Sequence, residues 1–275
     1  MKLKNRISSF LARLFLSNPR LRIHAIEEIK KKYFDLLDIN IYLGKGLSIP
    51  FVYEDSLASF KEIFMDHCYS WFQPQKPCKR WLDIGCNNGY FTLDLARKQL
   101  ENYEDLDISA FLVDGDKRSE KSVAKINRRY SKNVKTTFIH AAVGPKQEIV
   151  SFLNLSAMHA RIGIANETIQ DISLQSNVPV ISEQQIMQAF PPPYDLIKTD
   201  IEGAEIDFLD NYPTLIRNTD TLIIEWHSWN SQNISQVDFE KKLSQMGFST
   251  TQMSHNTFNT DGNPSSCADY LCIRN

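Results

Sequence analysis

The stretch Trp81–Ala96, WLDIGCNNGYFTLDLA, constrains the fold of this chain more than any other. Its first four residues, Trp81-Leu82-Asp83-Ile84, read as a buried parallel strand. Gly85-Cys86-Asn87-Asn88-Gly89 then makes a tight turn. Apolar Phe91, Leu93, Leu95 and Ala96 follow at a spacing compatible with a helix packed on a sheet. Strand, glycine turn and helix form the unit that holds a nucleotide-like ligand at a helix N-terminus. Gly85 lets the chain turn sharply, and Gly89, lacking a Cβ, lets a ligand or strand approach the backbone.

The glycine spacing separates ligand classes. A dinucleotide site asks for G-x-G-x-x-G with a pyrophosphate at the helix N-terminus. Here Asn87 stands at the second glycine position, the pattern is G-x-x-x-G, and Asp83 lies two residues before the first glycine. This D-x-G-x-N-x-G arrangement resembles motif I of class I S-adenosylmethionine (SAM) methyltransferases. The resemblance implies that the Asp83 carboxylate faces the charged amino-acid end of the ligand. On the motif alone, another nucleotide or a glycine turn without a ligand stays open.

At 275 residues the chain suits one α/β domain with an N-terminal extension, or two small domains. Its hydrophobic (42%) and charged (23%) fractions are those of a globular protein, and a net charge of -2 gives no reason to expect nucleic acid as partner. Cys68, Cys78, Cys86, Cys267 and Cys272 are odd in number and form no C-x-x-C, which points to reduced thiols and a cytoplasmic location. No apolar run approaches the length of a membrane span, so stable membrane insertion is not expected. Met1–Leu16 is basic and partly apolar, but Arg13 interrupts it and no small-residue cleavage site follows. It reads as a helix docking on the domain or on a second subunit, compatible with a homodimer, with a membrane-surface helix as the alternative.

Residues 1–75 carry no glycine-turn signature and are expected to form a helical cap, with residues 76–275 the main domain. Pro19 separates two helices, the second spanning 20–38 with Lys30-Lys31-Lys32 on a solvated face. Residues 39–53 suit a turn or short strand, and Asp55 or Ser56 caps a helix through Tyr69. Beyond the glycine turn, residues 97–108 read as loop or frayed helix. Phe111-Leu112-Val113 is a second strand ending in Asp114, 25 residues beyond Gly89, a spacing that suits a carboxylate on the ribose hydroxyls of a nucleoside. Asp114 or Asp116 could also cap the helix at 117–130. A third strand spans 136–144, and His140 and Ala141 stand where the adenine ring would lie. Glu148–Leu155 alternates like a strand, and 156–180, with Met158, His159 and Arg161, reads as a long loop or lid. Strands at 194–200 and 221–227, a helix at 236–246 and two closing strands at 248–253 and 269–273, joined by a loop at 254–268, complete the chain.

DIGCNNGYFT (83–92), AAVG (141–144), DLIKTDIEGAE (195–205) and IIEWH (223–227) resemble the FkbM-type SAM-dependent methyltransferases over about 80–275, the I-K-x-D-x-E-G-A-E block being the most specific part. The resemblance implies a Rossmann-like class I α/β fold, with a seven-stranded, mostly parallel sheet and an antiparallel last strand. It also implies O-methylation, often of sugars or natural products, with SAM as cofactor. The expected SAM-binding residues are Asp83, Gly85, Asn87, Gly89, Tyr90, Phe91, Asp114, Gly115, His140, Ala141 and Asp200. The chain departs from the family in carrying Gly115-Asp116 after Asp114, where an acid and a proline are usual.

Methyl transfer from a sulfonium needs alignment and exclusion of water, and a hydroxyl acceptor must also lose its proton. Asp200, Glu202, Glu225 and His227 fall at the carboxyl ends of two strands that should be neighbours, and Glu225 and His227, two apart, share a face. Three readings follow. His227 or Asp200 takes the proton; or Asp200, Glu202 and Glu225, with His227 as a nitrogen ligand, hold Mg²⁺ or Mn²⁺; or Glu202 and Glu205 cap the next helix while Glu225 pairs with a cation. The expected activity is O-methylation at a hydroxyl or carboxyl of a small molecule, sugar or peptide natural product. The alternative is an inactive SAM-binding scaffold of the same fold. A nicotinamide oxidoreductase is disfavoured by Asn87.

Overall fold

The computed structural model of the chain describes residues 39–44, 47–52, 56–103, 106–130, 133–156, 159–163, 175–230, 232–260 and 263–275. The helices expected before residue 39, the lysine run at 30–32, Asp55, Met158 and most of the expected 156–180 loop lie outside them.

In chain order, strands β1 (Ile39–Gly44) and β2 (Leu47–Phe51) precede helix α1 (Ser56–Phe60), which runs into a π turn, Lys61–Met65. Then come β3 (Arg80–Ile84), α2 (Tyr90–Asn102), β4 (Ile108–Asp114), α3 (Arg118–Tyr130) and β5 (Val134–His140). Strands β6 (Ile149–Ser156), β7 (His159–Ile162) and β8 (Gln175–Pro179) lead to α4 (Glu183–Ala189) and β9 (Tyr194–Thr199). The chain closes with α5 (Glu205–Asn211), α6 (Pro213–Arg217), β10 (Thr219–His227), α7 (Gln236–Gln245), β11 (Phe248–Gln252), β12 (Asn256–Thr260) and β13 (Asn263–Arg274).

The central sheet runs β11-β13-β10-β9-β3-β4-β5, with β12 paired to β13 off this path, so among the described residues it has eight strands where seven are expected. Strands β10, β9, β3, β4 and β5 pair in parallel, and β13 is antiparallel to both β10 and β11, as expected of the last strand. The extra strand escaped sequence reading because NTFNT and its partner PSS lack an apolar alternation.

Side-chain alternation sorts the sheet into two cores. Leu82, Ile84, Phe111, Val113, Ile197, Leu222 and Ile224 face α4 to α7, in one cluster with Ile186, Phe208, Leu215 and Phe239. Trp81, Ala110, Leu112, Leu196 and Ile223 face the other way, with Phe91, Leu95, Val123 and Ile126 of α2 and α3 and with Ile49 and Phe51 of β2. Asp83 and Lys198, directly paired across β3 and β9, fall on this second face, and Glu225 and His227 follow Ile223 on it by the same alternation.

Two local expectations need correction. The expected helix through Tyr69 leaves α geometry after Phe60 for the π turn. The expected loop at 156–180 carries β7 and β8, both antiparallel to β6, forming a separate three-stranded sheet. Strand β8, QSNVP, buries only Val178, so its composition reads as loop. All five cysteines are free. No described helix is long and apolar enough to cross a membrane.

Candidate active site

The carboxyl ends of β3, β4, β9 and β10 meet at one cavity of about 250 Å³. Backbone hydrogen bonds hold its rim together: Gly85 and Cys86 donate to the Val113 carbonyl, Asp200 to Ile84 and Ala141 to Asp114. The glycine turn has Gly85 at φ 70°, Asn87 at 48° and Gly89 at 75°, and Gly89 forms the N-cap of α2. Asn88 anchors the turn from behind: its side chain bonds Ser56 and Ser59 and its carbonyl accepts from Ser122.

Of the expected ligand residues, Gly85, Asn87, Tyr90, Phe91, Asp114, Gly115, Ala141 and Asp200 line the cavity. Three do not. Asp83 is fully buried, accepting a hydrogen bond from Thr92 Oγ1 at 2.8 Å, with Lys198 Nζ 3.8 Å from its other oxygen. It shares a sheet face with Lys198, Glu225 and His227 but is covered by α2, and through Thr92 it ties β3 to that helix. Gly89 sits behind the turn, where a Cβ would press on Ile126 and Leu112. His140 bonds the Gly115 carbonyl through Nε2 at 2.9 Å and stays off the wall, which Ala141, Ala142 and Val143 supply.

Asp114 accepts from the Asn87 amide at 2.6 Å and the Asp116 amide at 2.7 Å. Burial pushes its carboxyl up to about 7, although both amides favour the charged form. Helix capping falls to Asp116, which accepts from the Arg118 amide and pairs with its guanidinium. The three-stranded sheet closes this end: Phe152, Ala160 and Ile162 line the cavity, and a Cβ on Gly115 would stand 2.3 Å from the Phe152 ring.

At the other end stand Asp200, Glu202, Glu225 and His227, brought together as the strand spacing requires. His227 is buried. Its Nδ1 lies 2.9 Å from Glu205 Oε1, while Nε2 lies 3.7 Å from both Glu202 Oε2 and Glu225 Oε1. Glu202 has φ 53°, a conformation costly for a non-glycine residue, in the turn that carries its carboxylate to the cavity. Burial raises the Glu202 and Glu225 carboxyls, opposed by His227 and reinforced by Asp200. Burial works against the charged imidazole, yet Glu205, Glu225 and Glu202 together hold His227 well above the ordinary histidine range. Glu205 also accepts from the Gly203 amide at 2.9 Å, in the turn before α5, whose N-cap Ala204 has no side-chain cap.

Sequence reading gave no role to three residues here. Lys198 is buried, donates to the Gly85 carbonyl at 2.9 Å and lies 3.5 Å from Asp200 and 3.8 Å from Asp83, so it ties the glycine turn to β9. Burial disfavours its charge, but Asp200 and Asp83 outweigh that and keep it protonated. A lysine inside an apolar parallel strand was the available signal. Trp229 lines the wall, its ring 4.6 Å from the His227 ring and its Nε1 donating to the Glu202 carbonyl. Phe152 belongs to a sheet that sequence reading only partly anticipated.

The methyltransferase FkbM domain model matches residues 9–250. The chain belongs to this family. The match begins well before residue 76. Its fold is the Rossmann-like class I methyltransferase fold. No curated protein matches the chain. Among solved structures, magnesium protoporphyrin IX methyltransferase from Synechocystis PCC 6803 with bound SAM is similar at 12% identity, over 80% of this chain and 81% of that one, with TM-score 0.43. A SAM-dependent methyltransferase from Aquifex aeolicus is similar at 12% identity over 78% and 93%, with TM-score 0.37. Both likenesses are distant, and the family match carries the assignment of this FkbM-domain protein as a methyltransferase.

Proposed function

We propose that this FkbM-domain protein is a SAM-dependent O-methyltransferase acting on a hydroxyl or carboxyl of a small molecule, sugar or peptide natural product. One observation carries the reading: the Asp114 carboxylate and the Asp200–Glu202–Glu225–His227 cluster line opposite ends of the same cavity, with the glycine turn between them.

The residues present suit the donor. Asp114, already held by two backbone amides, keeps lone pairs for the ribose hydroxyls. Gly115, Ala141, Ala142 and Phe152 offer an apolar slot for the purine. The glycine turn and Tyr90 leave room at the start of α2 for the amino-acid end. Bound there, SAM supplies a methyl group on a sulfonium, an electrophile that needs alignment more than covalent help.

The chain's own residues do the rest. The groups at the ends of β9 and β10 hold the acceptor, and the carboxylates among them receive its proton. Trp229 covers His227 and thins the water around the reacting atoms. A protein kept only as a scaffold would have no use for three carboxyls and an imidazole gathered at one cavity. The test is incubation of the full chain with methyl-labelled SAM and a panel of hydroxyl, carboxyl and amine acceptors, followed by mass spectrometry. Label on oxygen supports the proposal. Label only on nitrogen or carbon contradicts the O-methyl assignment.

A further inference from the structure

The ligand atoms of Asp200, Glu202 and His227 all lie within 4.8 Å of one another. Around a divalent ion with bonds of about 2.2 Å, adjacent and opposite ligand atoms stand roughly 3 and 4.4 Å apart. The three groups are therefore near coordinating distance without a change of fold.

The histidine makes this more than a cluster of acids. His227 is 3% exposed, and its ring is fixed by Glu205 on Nδ1. That turns Nε2 towards Glu202 and Glu225, each at 3.7 Å, within ion-pair range but beyond hydrogen-bond reach, so the nitrogen lies between two carboxylates of the cavity wall. A carboxylate on the far ring nitrogen is what orients a metal-binding histidine and raises its basicity. Glu205 is fully buried and makes no hydrogen bond through Oε2.

Charge balance points the same way. Asp83, Asp200, Glu202, Glu205 and Glu225 converge here, with Lys198 as the one buried lysine among the described residues. Lys198 answers Asp83 and Asp200, and three glutamates face the single imidazole of His227. Glu225 stays outside the set, since it lies opposite Asp269 of β13 and is not one of the three residues whose ligand atoms converge.

We propose that Asp200, Glu202 and the Nε2 of His227 form a divalent-cation site, positioned by Glu205. The site deepens the methyltransferase reading of the same cavity, although cation binding itself does not require that reading. One nitrogen and two carboxylates suit Mn²⁺ better than Mg²⁺, which favours an all-oxygen shell. Three protein ligands leave positions open for an acceptor hydroxyl, which a cation would acidify. That O–H loses its proton to Glu225. The oxygen then bonds to the methyl carbon as the carbon–sulfur bond breaks, and that bond's electron pair stays on sulfur.

The experiment is a Mn²⁺ titration of the full-length apo protein followed by electron paramagnetic resonance, with S-adenosylhomocysteine affinity measured in parallel. One bound Mn²⁺ per chain is expected, lost in Glu202→Gln and in His227→Gln, and weakened about 10–100-fold in Glu205→Gln. Glu225→Gln should still bind. A far-ultraviolet circular-dichroism spectrum and a denaturant midpoint like those of the wild type show that each variant is folded, and a variant that fails this control is replaced by Asp200→Asn. No saturable Mn²⁺ binding by the wild type, or binding unchanged in the ligand variants, overturns the site. If S-adenosylhomocysteine still binds in that case, the methyltransferase reading stands and only the cation site falls.

Discussion

Gly85 and Asp200 are built against each other: a Cβ on Gly85 would stand 1.7 Å from the Asp200 carbonyl oxygen, and Gly85 has φ 70°. The glycine turn and the end of β9 thus share one space, which fixes the acid cluster relative to the ligand turn. Gly85→Ala must both strain its backbone and push β9 away. We expect a loss of about 3 kcal/mol or more, read as a lower denaturant midpoint. An unchanged midpoint would show that the contact is not as close as described.

Lys198 joins the same two segments by charge. Removing it leaves Asp83 and Asp200 buried or half-buried beside the turn without their cation. Lys198→Met should cost roughly 3–5 kcal/mol in chemical denaturation, the range for breaking a buried ion pair from one side. Asp83→Asn in the same background should recover part of that loss, since the orphaned charge is the cause.

Asp114 holds the proposed ribose position. Asp114→Ala should bring S-adenosylhomocysteine binding below detection in calorimetry, and Asp114→Asn should weaken it about 100-fold, through loss of charge-assisted hydrogen bonds. Unchanged affinity in the alanine variant would remove Asp114 from the ligand site.

The raised Asp114 carboxyl, at about 7, gives a pH signature. Its folded pKa lies above the unfolded value, so this group favours folding at low pH and loses that contribution as pH rises towards about 7. Ligand binding runs the opposite way, because the ionised carboxylate is the better acceptor. Affinity for S-adenosylhomocysteine should therefore fall as pH drops from about 8 to about 6, and Asp114→Asn should flatten the profile.

Much of this was legible in the chain itself, for physical reasons. Parallel strands buried on both faces must be apolar throughout, so β3, β4, β9 and β10 announce themselves. Period-two alternation placed Glu225 and His227 on one face before any coordinates. The same rule puts Asp83 on that face too, but it gives no sign that Thr92 and Lys198 enclose it there. Pairings between distant segments were not legible. Phe152 reaches Gly115 from a sheet whose outer strand, QSNVP, is polar, and Glu205 finds His227 from 22 residues away. Neither contact leaves a local pattern. Lys198 was visible as a charge inside a buried strand, but its partners were not.

On the proposed function, one cavity holds the methyl donor between Asp114 and the acid–histidine cluster. The decisive measurement is the structure of the protein solved with S-adenosylhomocysteine. Ribose hydroxyls within hydrogen-bond distance of Asp114, and the sulfur turned towards Asp200 and His227, are expected. The ligand bound elsewhere, or a cavity left vacant at saturating ligand, would contradict it.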